Sequence, residues 1–347
     1  MRLDGTDAAA IERAAALLAG GALVAFPTET VYGLGARADD DAAVARIFEA
    51  KGRPANHPLI VHVADAADAQ RFAARMPPVA QRLMAAFWPG PLTVIVPRAP
   101  TIAFAAAGGQ GSVGLRSPAH PVAQALLAAA GRLGVAGIAG PSANRFGRVS
   151  PTRAAHVEHE FGAVLAVLDG GPCAVGIESS IVDCSRDRPV LLRPGVLTRA
   201  RIEAAAGEPL HEADADAPRA SGTLAAHYAP NARVRLMPSA LLDTALQALP
   251  DWPDLQASPD LQASPALHWP GDDPARLAVY SQRAPLGAAP RVRQRRMPAQ
   301  PDDVARELFS VLREFDAEGV QLLWIEEPPP GPEWDGVRDR LRRAAAS

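Results

Sequence analysis

Lysine occurs once in the 347 residues, at Lys51, in a chain that uses arginine for the rest of its 35 lysine and arginine side chains. It opens the stretch "KGRPANHPLIVHV", two residues before Arg53 and five before Asn56. Gly52 ends a helix that the pattern places from about Asp40 to Lys51, and Pro54 fixes the next φ near about −65°. The two cations therefore emerge at a helix end and in the turn after it. So placed they can address one polyanion, arginine as a planar fork and lysine as a point charge, and a triphosphate is the natural ligand. The same pair would also complement the negative end of the helix dipole.

Three other stretches carry polar side chains of a useful type. "GPSANRFGRVSPT" (140–152) packs Ser142, Asn144, Ser150 and Thr152 after the strand-like "VAGIA". That is the end of a strand where ligands of open α/β sheets sit, although Ser150-Pro151 would equally start a helix. "PTETVYGLG" (27–35) supplies Thr28, Glu29, Thr30 and Tyr32 in a loop leaving a buried strand. "GIESSIVD" (176–183) has Ser179 and Ser180 with no histidine near in sequence, which weakens a serine-nucleophile reading. His62 lies between two valines, a pattern typical of a packed core histidine. No GxxxxGK[ST] sequence occurs, so a P-loop is not indicated.

The elements that must position these residues alternate along the chain. Helical spacing over Asp7–Leu18, with Thr6 as N-cap, precedes the strand "ALVAF". Further strands are read at "PLIVHV", "LTVIV", "SVGLR", "VAGIA", "AVLAVLD", "SSIVDC" and "VLLRPG", which makes an α/β domain on a twisted mixed sheet. The acidic, proline-bearing "EPLHEADADAPRASG" has no apolar period and reads as a linker. Beyond it, "RVRLM", a helix, "RLAVYS", "RVRQRRM", a helix over 301–318, "VQLLWIE" and a terminal helix make a second, smaller α/β domain. The expected boundaries are 1–206, a linker over 207–230, and 231–347. "PDLQAS" repeats in tandem at 253–258 and 259–264 and reads as a tolerant surface loop.

Composition excludes several classes. A formal net charge of −3 argues against a general nucleic-acid coat. Cys173 and Cys184 stand without companions at metal-ligand spacing, so neither a zinc site nor a disulfide scaffold is indicated. The N-terminus is interrupted by Asp4, Asp7, Glu12 and Arg13 and reads neither as signal peptide nor as spanning helix, so the expected location is the cytoplasm with no membrane partner.

Taken in order, "PTETVYGLG", "KGRPANHPLIVHV", "GLRSP", "PSANRFGRVSPT", "GIESSIVD", "LLRPG" and "SGTLAAHYAP" resemble the YrdC-like threonylcarbamoyl-AMP synthases in their long, two-domain form. The resemblance implies a YrdC-like sheet domain followed by a smaller Rossmann-like α/β domain. It implies that L-threonine, bicarbonate and ATP are condensed to threonylcarbamoyl-AMP and pyrophosphate for the t6A modification of tRNA. Lys51 and Arg53 match the family's catalytic basic motif, and Ser142 and Asn144 its Ser-x-Asn motif. Ser112, Ser150, Arg193 and Tyr228 match ATP contacts, and His57 stands where an asparagine is usual. Thr30, Tyr32, His62, Arg116, Gly140 and Ser180 fall to the threonine side. No metal-ligating residue is expected, but Mg²⁺ would accompany the ATP. A separate complex would transfer the threonylcarbamoyl group to tRNA. The competing class is a non-enzymatic RNA-binding module of the same fold, against which the chain's acidity and lack of interleaved aromatic and basic residues speak.

A lysine kept in so arginine-rich a chain implies that Lys51→Arg is not conservative. Loss of one charge-assisted hydrogen bond, roughly 1.5 to 3 kcal/mol, corresponds to about a ten- to hundredfold fall in turnover. Steady-state kinetics of the arginine variant at saturating ATP measure it, and unchanged turnover would make the lysine incidental.

Overall fold

A computed structural model describes residues 1–247, 277–283 and 292–346; the tandem "PDLQAS" lies outside them. The first part of the chain builds β1 (Arg2–Asp4), α1 (Ala8–Ala19), β2 (Val24–Phe26), β3 (Gly33–Arg37), α2 (Asp41–Lys51), β4 (Ile60–His62), α3 (Ala66–Gln70) and α4 (Pro78–Phe87). It continues with β5 (Leu92–Pro97), β6 (Ser112–Arg116), α5 (Pro121–Arg132), β7 (Ile138–Ala139), α6 (Ala154–Phe161), β8 (Ala166–Asp169), β9 (Ser180–Asp183), β10 (Val190–Arg193) and α7 (Arg199–Ala206). Ten strands join in the order β1-β8-β2-β3-β7-β4-β6-β5-β9-β10. The sheet contains both parallel pairs, such as β4 with β6, and antiparallel ones, such as β4 with β7, the mixed sheet expected from the sequence.

Two elements escaped the sequence pattern. β3 lies in "GLGAR", whose two glycines carry no β-forming side chain, yet Leu34 and Ala36 are fully buried and the strand pairs on both sides. Packing on a half-built sheet overrides weak propensity there. β1 has only three residues and is held by pairing with β8. At α1 the cap is Asp7, which accepts from Ala9 N, rather than Thr6; the Thr6 hydroxyl is taken by Asp4 at 2.7 Å.

Two apolar clusters bury the sheet of this domain. One is centred on Tyr32, Leu34, Ile47, Val61, Phe72, Val94 and Leu115. The other gathers Leu18, Val24, Phe26, Leu126 and Ile138 under α1 and α5. Each fully buried side chain of this size contributes roughly 1.5 to 3 kcal/mol.

Residues 207–230 carry isolated bridges but no helix or strand, and then a second sheet forms. β11 (Arg233–Met237), α8 (Ser239–Gln247), β12 (Leu277–Ser281), β13 (Val292–Arg296), α9 (Pro301–Ala317), β14 (Leu322–Glu326) and α10 (Asp335–Ala345) make it, with the parallel order β11-β14-β12-β13. The domains do not merely touch. Val31, Val149, Ile177 and Tyr228 from the first part and the linker share one apolar cluster with Phe309, Leu312, Trp334 and Leu341. Arg313 of α9 adds an ion pair to Glu160 at 2.8 Å. Among the described residues no helix is long and apolar enough to cross a membrane.

Helix α2 delivers the single lysine, and its start is set by Asp40, whose carboxylate accepts from Ala42 N at 2.9 Å and Ala43 N at 3.1 Å. Asp40→Ala leaves those donors without a side-chain acceptor and is expected to destabilise the protein by about 1 kcal/mol. A lower urea midpoint at unchanged m-value is the measurement, and an unaltered midpoint would dismiss the cap.

Candidate active site

α2 ends as the sequence requires. Gly52 adopts φ 63°, and its N–H and that of Arg53 return to the carbonyls of Glu49 and Phe48. Lys51, the last helical residue, is thereby turned inward and is only 3% exposed. Its Nζ donates to the carbonyl of Ser142 at 2.6 Å and to that of Asn144. The lysine thus clamps the loop after β7, leaving its third N–H for something else. Burial, then the neighbouring Arg53, pushes its pKa well below the ordinary lysine range, a disfavoured charge that an anion would restore.

Arg53, also buried, donates to the Pro58 carbonyl at 2.9 Å and lies over the Phe146 ring at 5.6 Å. Burial lowers its pKa to about 10. Arg193 at the end of β10 spends its guanidinium on Ser179 O (3.0 Å), Ser179 Oγ (3.1 Å) and Ser221 O (2.7 Å). In parallel β4 and β6, His62 stands opposite Arg116. Arg116 pairs with Glu29 at 2.7 Å and donates to Thr30 Oγ1 at 2.8 Å.

These side chains, Glu29 and Thr30 apart, line one cavity on a face of the large sheet. Of the residues expected from sequence it brings together Lys51, Arg53, Ser142, Asn144, Arg193 and Tyr228, and beside them His62, Arg116 and Gly140. The other six lie outside its lining. Thr30 stands behind Arg116. Ser150 donates to Glu178 Oε1 at 2.5 Å. Ser112 lines an adjoining recess that shares Ile60 and Ser221 with the cavity. His57 packs edge-on to Phe146, with ring centroids 5.4 Å apart. Ser180 is fully buried, its hydroxyl 3.5 Å from the Leu197 carbonyl. The Tyr32 hydroxyl turns to Asp169 and to the Gly171 carbonyl at 2.8 Å, away from the cavity.

The linker supplies part of the cavity wall. His227 and Tyr228 enter it, Tyr228 only 1% exposed and stacked on Phe309 of α9 at 5.4 Å. Tyr228 adopts φ 63°, a left-handed conformation that costs a non-glycine residue roughly 1 to 3 kcal/mol and persists only where surroundings impose it. Gly222 (φ 72°) leaves room for it: a Cβ there would lie 2.5 Å from the Tyr228 hydroxyl. Sequence reasoning passed over Phe146, which contacts Arg53, His57 and His227, and the part Glu178 plays in the wall.

Five buried polar atoms on this lining have neither a hydrogen-bond nor an ion-pair partner: Arg53 Nε, His62 Nδ1, Asn144 Oδ1, His227 Nδ1 and the Tyr228 hydroxyl. Buried groups left so are costly unless a ligand completes them. Their donor and acceptor types, beside four cations, suit a ligand that is anionic and also carries hydrogen-bonding groups. Among the described residues no cluster of three or more His, Cys, Asp or Glu side chains could hold a metal. The lining has one carboxylate, Glu178, already committed to Ser150 and Arg340.

A mixed sheet with a cationic cavity on its face, walled in part by a linker and backed by a small parallel domain, defines an anion-handling two-domain α/β protein. Residues 16–195 match the family model described as "Telomere recombination", and residues 197–346 the one described as "Threonylcarbamoyl-AMP synthase, C-terminal domain". The threonylcarbamoyl-AMP synthase of Bacillus subtilis is 37% identical over 342 residues, covering 96% of this chain and 92% of that protein. That of Pyrococcus abyssi is 45% identical over 230 residues, 65% of this chain and 66% of that one. The solved P. abyssi Sua5 in complex with L-threonine superposes with TM-score 0.82 at 34% identity, covering 98% of this chain and 95% of that one. A His/Tyr-to-alanine double variant of the same protein gives TM-score 0.85 at 32% identity over 99% and 96%. The chain belongs to the threonylcarbamoyl-AMP synthase family, in its two-domain form.

Burial dominates the two histidines of the lining and one nearby in the fold. It pushes His62 and His227 down to about 3, and His156, on α6, to about 4, with Arg116, Arg53 and Arg313 respectively adding to the effect. The folded state therefore binds fewer protons than the unfolded one between about pH 6.5 and about 3, and stability falls as pH drops through that window. Each histidine contributes at most about 1.4 kcal/mol per pH unit there. Urea titrations at about pH 7 and about pH 5 measure the slope. His62→Gln should flatten it, and an identical slope in that variant would contradict the buried neutral state.

Proposed function

We propose that this protein is an L-threonylcarbamoyladenylate synthase, which condenses L-threonine, bicarbonate and ATP to threonylcarbamoyl-AMP and pyrophosphate, the first step toward t6A in tRNA. The observation that carries the reading is the cavity itself: buried cations and five unpartnered polar atoms gathered at one place. The threonine amine and bicarbonate form a carbamate with loss of water. A carbamate oxygen then attacks the α-phosphorus of ATP, and the bond to the β,γ-pyrophosphate breaks. Both reactants are anions, so the work of the protein is to hold them together and to stabilise charge that spreads over the phosphoryl oxygens.

The residues divide accordingly. Lys51, Arg53, Ser142, Asn144 and Arg193 form the phosphate end, with Lys51 and Arg53 in the catalytic role. Ser112 extends the nucleotide path through its adjoining recess, and Ser150 and His57 act behind the lining, through Glu178 and Phe146. His62, Arg116 and Gly140 form the threonine end, with Thr30 orienting Arg116. The buried contacts of Tyr32 and Ser180 favour a supporting part under that end over direct contact. Mg²⁺ supplies countercharge to the triphosphate when bound; with the one lining carboxylate committed, its ligands would be phosphate oxygens and water rather than side chains.

His227 and Tyr228 act as a lid that keeps water from the mixed anhydride. Supporting this are the tyrosine's imposed left-handed backbone and its unpartnered hydroxyl inside the cavity. A cavity whose cations are buried suits a small-molecule reaction better than an RNA-binding face, which would need its cations exposed. Transfer of the product to tRNA then falls to a separate complex.

Pyrophosphate release measured with each substrate omitted in turn tests the reading. Release is expected only when threonine, bicarbonate and ATP are all present. Turnover of ATP indifferent to threonine would overturn it in favour of a general ATPase.

A further inference from the structure

A cavity built for anions carries a carboxylate on its wall. Glu178 lines it together with Lys51, Arg53 and Arg193, and an unneutralised charge there would repel the phosphates that those cations attract. The side chain is buried and its two oxygens are separately occupied. Oε1 accepts from Ser150 at 2.5 Å, and Oε2 accepts from Arg340 Nε at 2.8 Å.

Arg340 comes from the other domain, 162 residues away in sequence, on the terminal helix α10. Its side chain is wholly inaccessible to solvent. Besides Glu178 Oε2 it donates to the Glu178 carbonyl at 3.0 Å, the Pro194 carbonyl at 2.9 Å and Asp339 at 2.7 Å, and its guanidinium lies 5.4 Å from the centre of the Tyr228 ring. Burial raises the Glu178 pKa, but Arg340, Arg193 and the Ser150 hydroxyl outweigh it and hold the carboxyl below its ordinary value. Glu178 is therefore an anion, and Arg340 is its buried counterion.

We infer that Arg340 is a positioning residue of the nucleotide site that acts through Glu178: it cancels the carboxylate's charge and so lets the cavity wall accept a triphosphate. The inference rests on the synthase reading for the identity of the nucleotide. It makes the terminal helix part of the ATP site without touching ATP. It also gives Tyr228 two neighbours from the second domain, Phe309 and Arg340.

The test is a double-mutant cycle in the full chain, read as the Kd of a non-hydrolysable ATP analogue by calorimetry, with urea midpoints alongside. Wild-type pyrophosphate release in the presence and absence of threonine is measured separately, so that failure of the synthase reading is visible by itself. Arg340→Met leaves Glu178 unpaired and is expected to weaken analogue binding about thirtyfold or more. Glu178→Gln/Arg340→Met removes both charges and should restore binding to within about threefold of wild type. Glu178→Gln alone leaves the buried guanidinium with Asp339 as its remaining carboxylate partner, so stability should fall while analogue binding stays equal or tightens. A purely structural contact predicts otherwise: the double variant as weak as Arg340→Met, or Glu178→Gln losing affinity together with stability. Either result would overturn the inference. If Arg340→Met does not fold, the double variant and Glu178→Gln decide the question.

Discussion

The structure depends on the burial of positive charge without enough negative charge to match it. Lys51, Arg53, Arg116, Arg193 and Arg340 are each buried at or behind the cavity, against the buried carboxylates Glu29 and Glu178 and the largely covered Asp339 beside Arg340. Five cations less three anions leave two. Burying an uncompensated charge costs several kcal/mol even after relaxation. The fold offsets this with main-chain carbonyls: Ser142 and Asn144 for Lys51, Pro58 for Arg53, Ser179 and Ser221 for Arg193. Carbonyl dipoles hold an ammonium or guanidinium but do not neutralise it. The remaining excess is complementary to a triphosphate, and the depressed pKa of Lys51 marks where it is least comfortable without one.

That constraint explains the odd features of the backbone. The carbonyls must face inward, so the segments bearing them are loops at strand ends rather than strands, and Gly52 and Gly222 take left-handed conformations to turn them. Phe146 gives Arg53 and His227 a common aromatic surface. The linker is held by Arg193 at Ser221 and by the apolar cluster at Tyr228, so the same arginine that faces the cavity also fastens part of its wall. The second domain follows from this arrangement, because a tyrosine buried at a strained φ needs a rigid partner, and Phe309 and Arg340 provide it.

Much of this was legible in the amino-acid sequence, where local chemistry decides the outcome. The strands Ser112–Arg116 and Arg233–Met237 and the end of α2 at Lys51 follow from apolar patterning and from Gly52, as does the alternation of helix and strand that makes two α/β units. The scarcity of lysine singled out Lys51, and the ordered motifs pointed to the family and to the nine expected residues that share the cavity.

What the sequence could not decide is where a side chain turns once it reaches the sheet. Thr30 and Tyr32 sit in one motif, yet one orients Arg116 while the other turns to Asp169, because the chain between β2 and β3 bends and presents its residues to different sides. β3 is a strand by virtue of its neighbours, not of its glycine-rich residues. The pairing of Glu178 with Arg340 and the stacking of Tyr228 on Phe309 join positions 162 and 81 residues apart, and nothing in either local stretch encodes the partner. By itself the sequence determined which residues were available for the chemistry and which elements carry them. Only the tertiary structure decided which of them face the cavity and that the second domain holds its wall, since long-range pairing of buried charge depends on the packed arrangement of whole elements rather than on any run of residues.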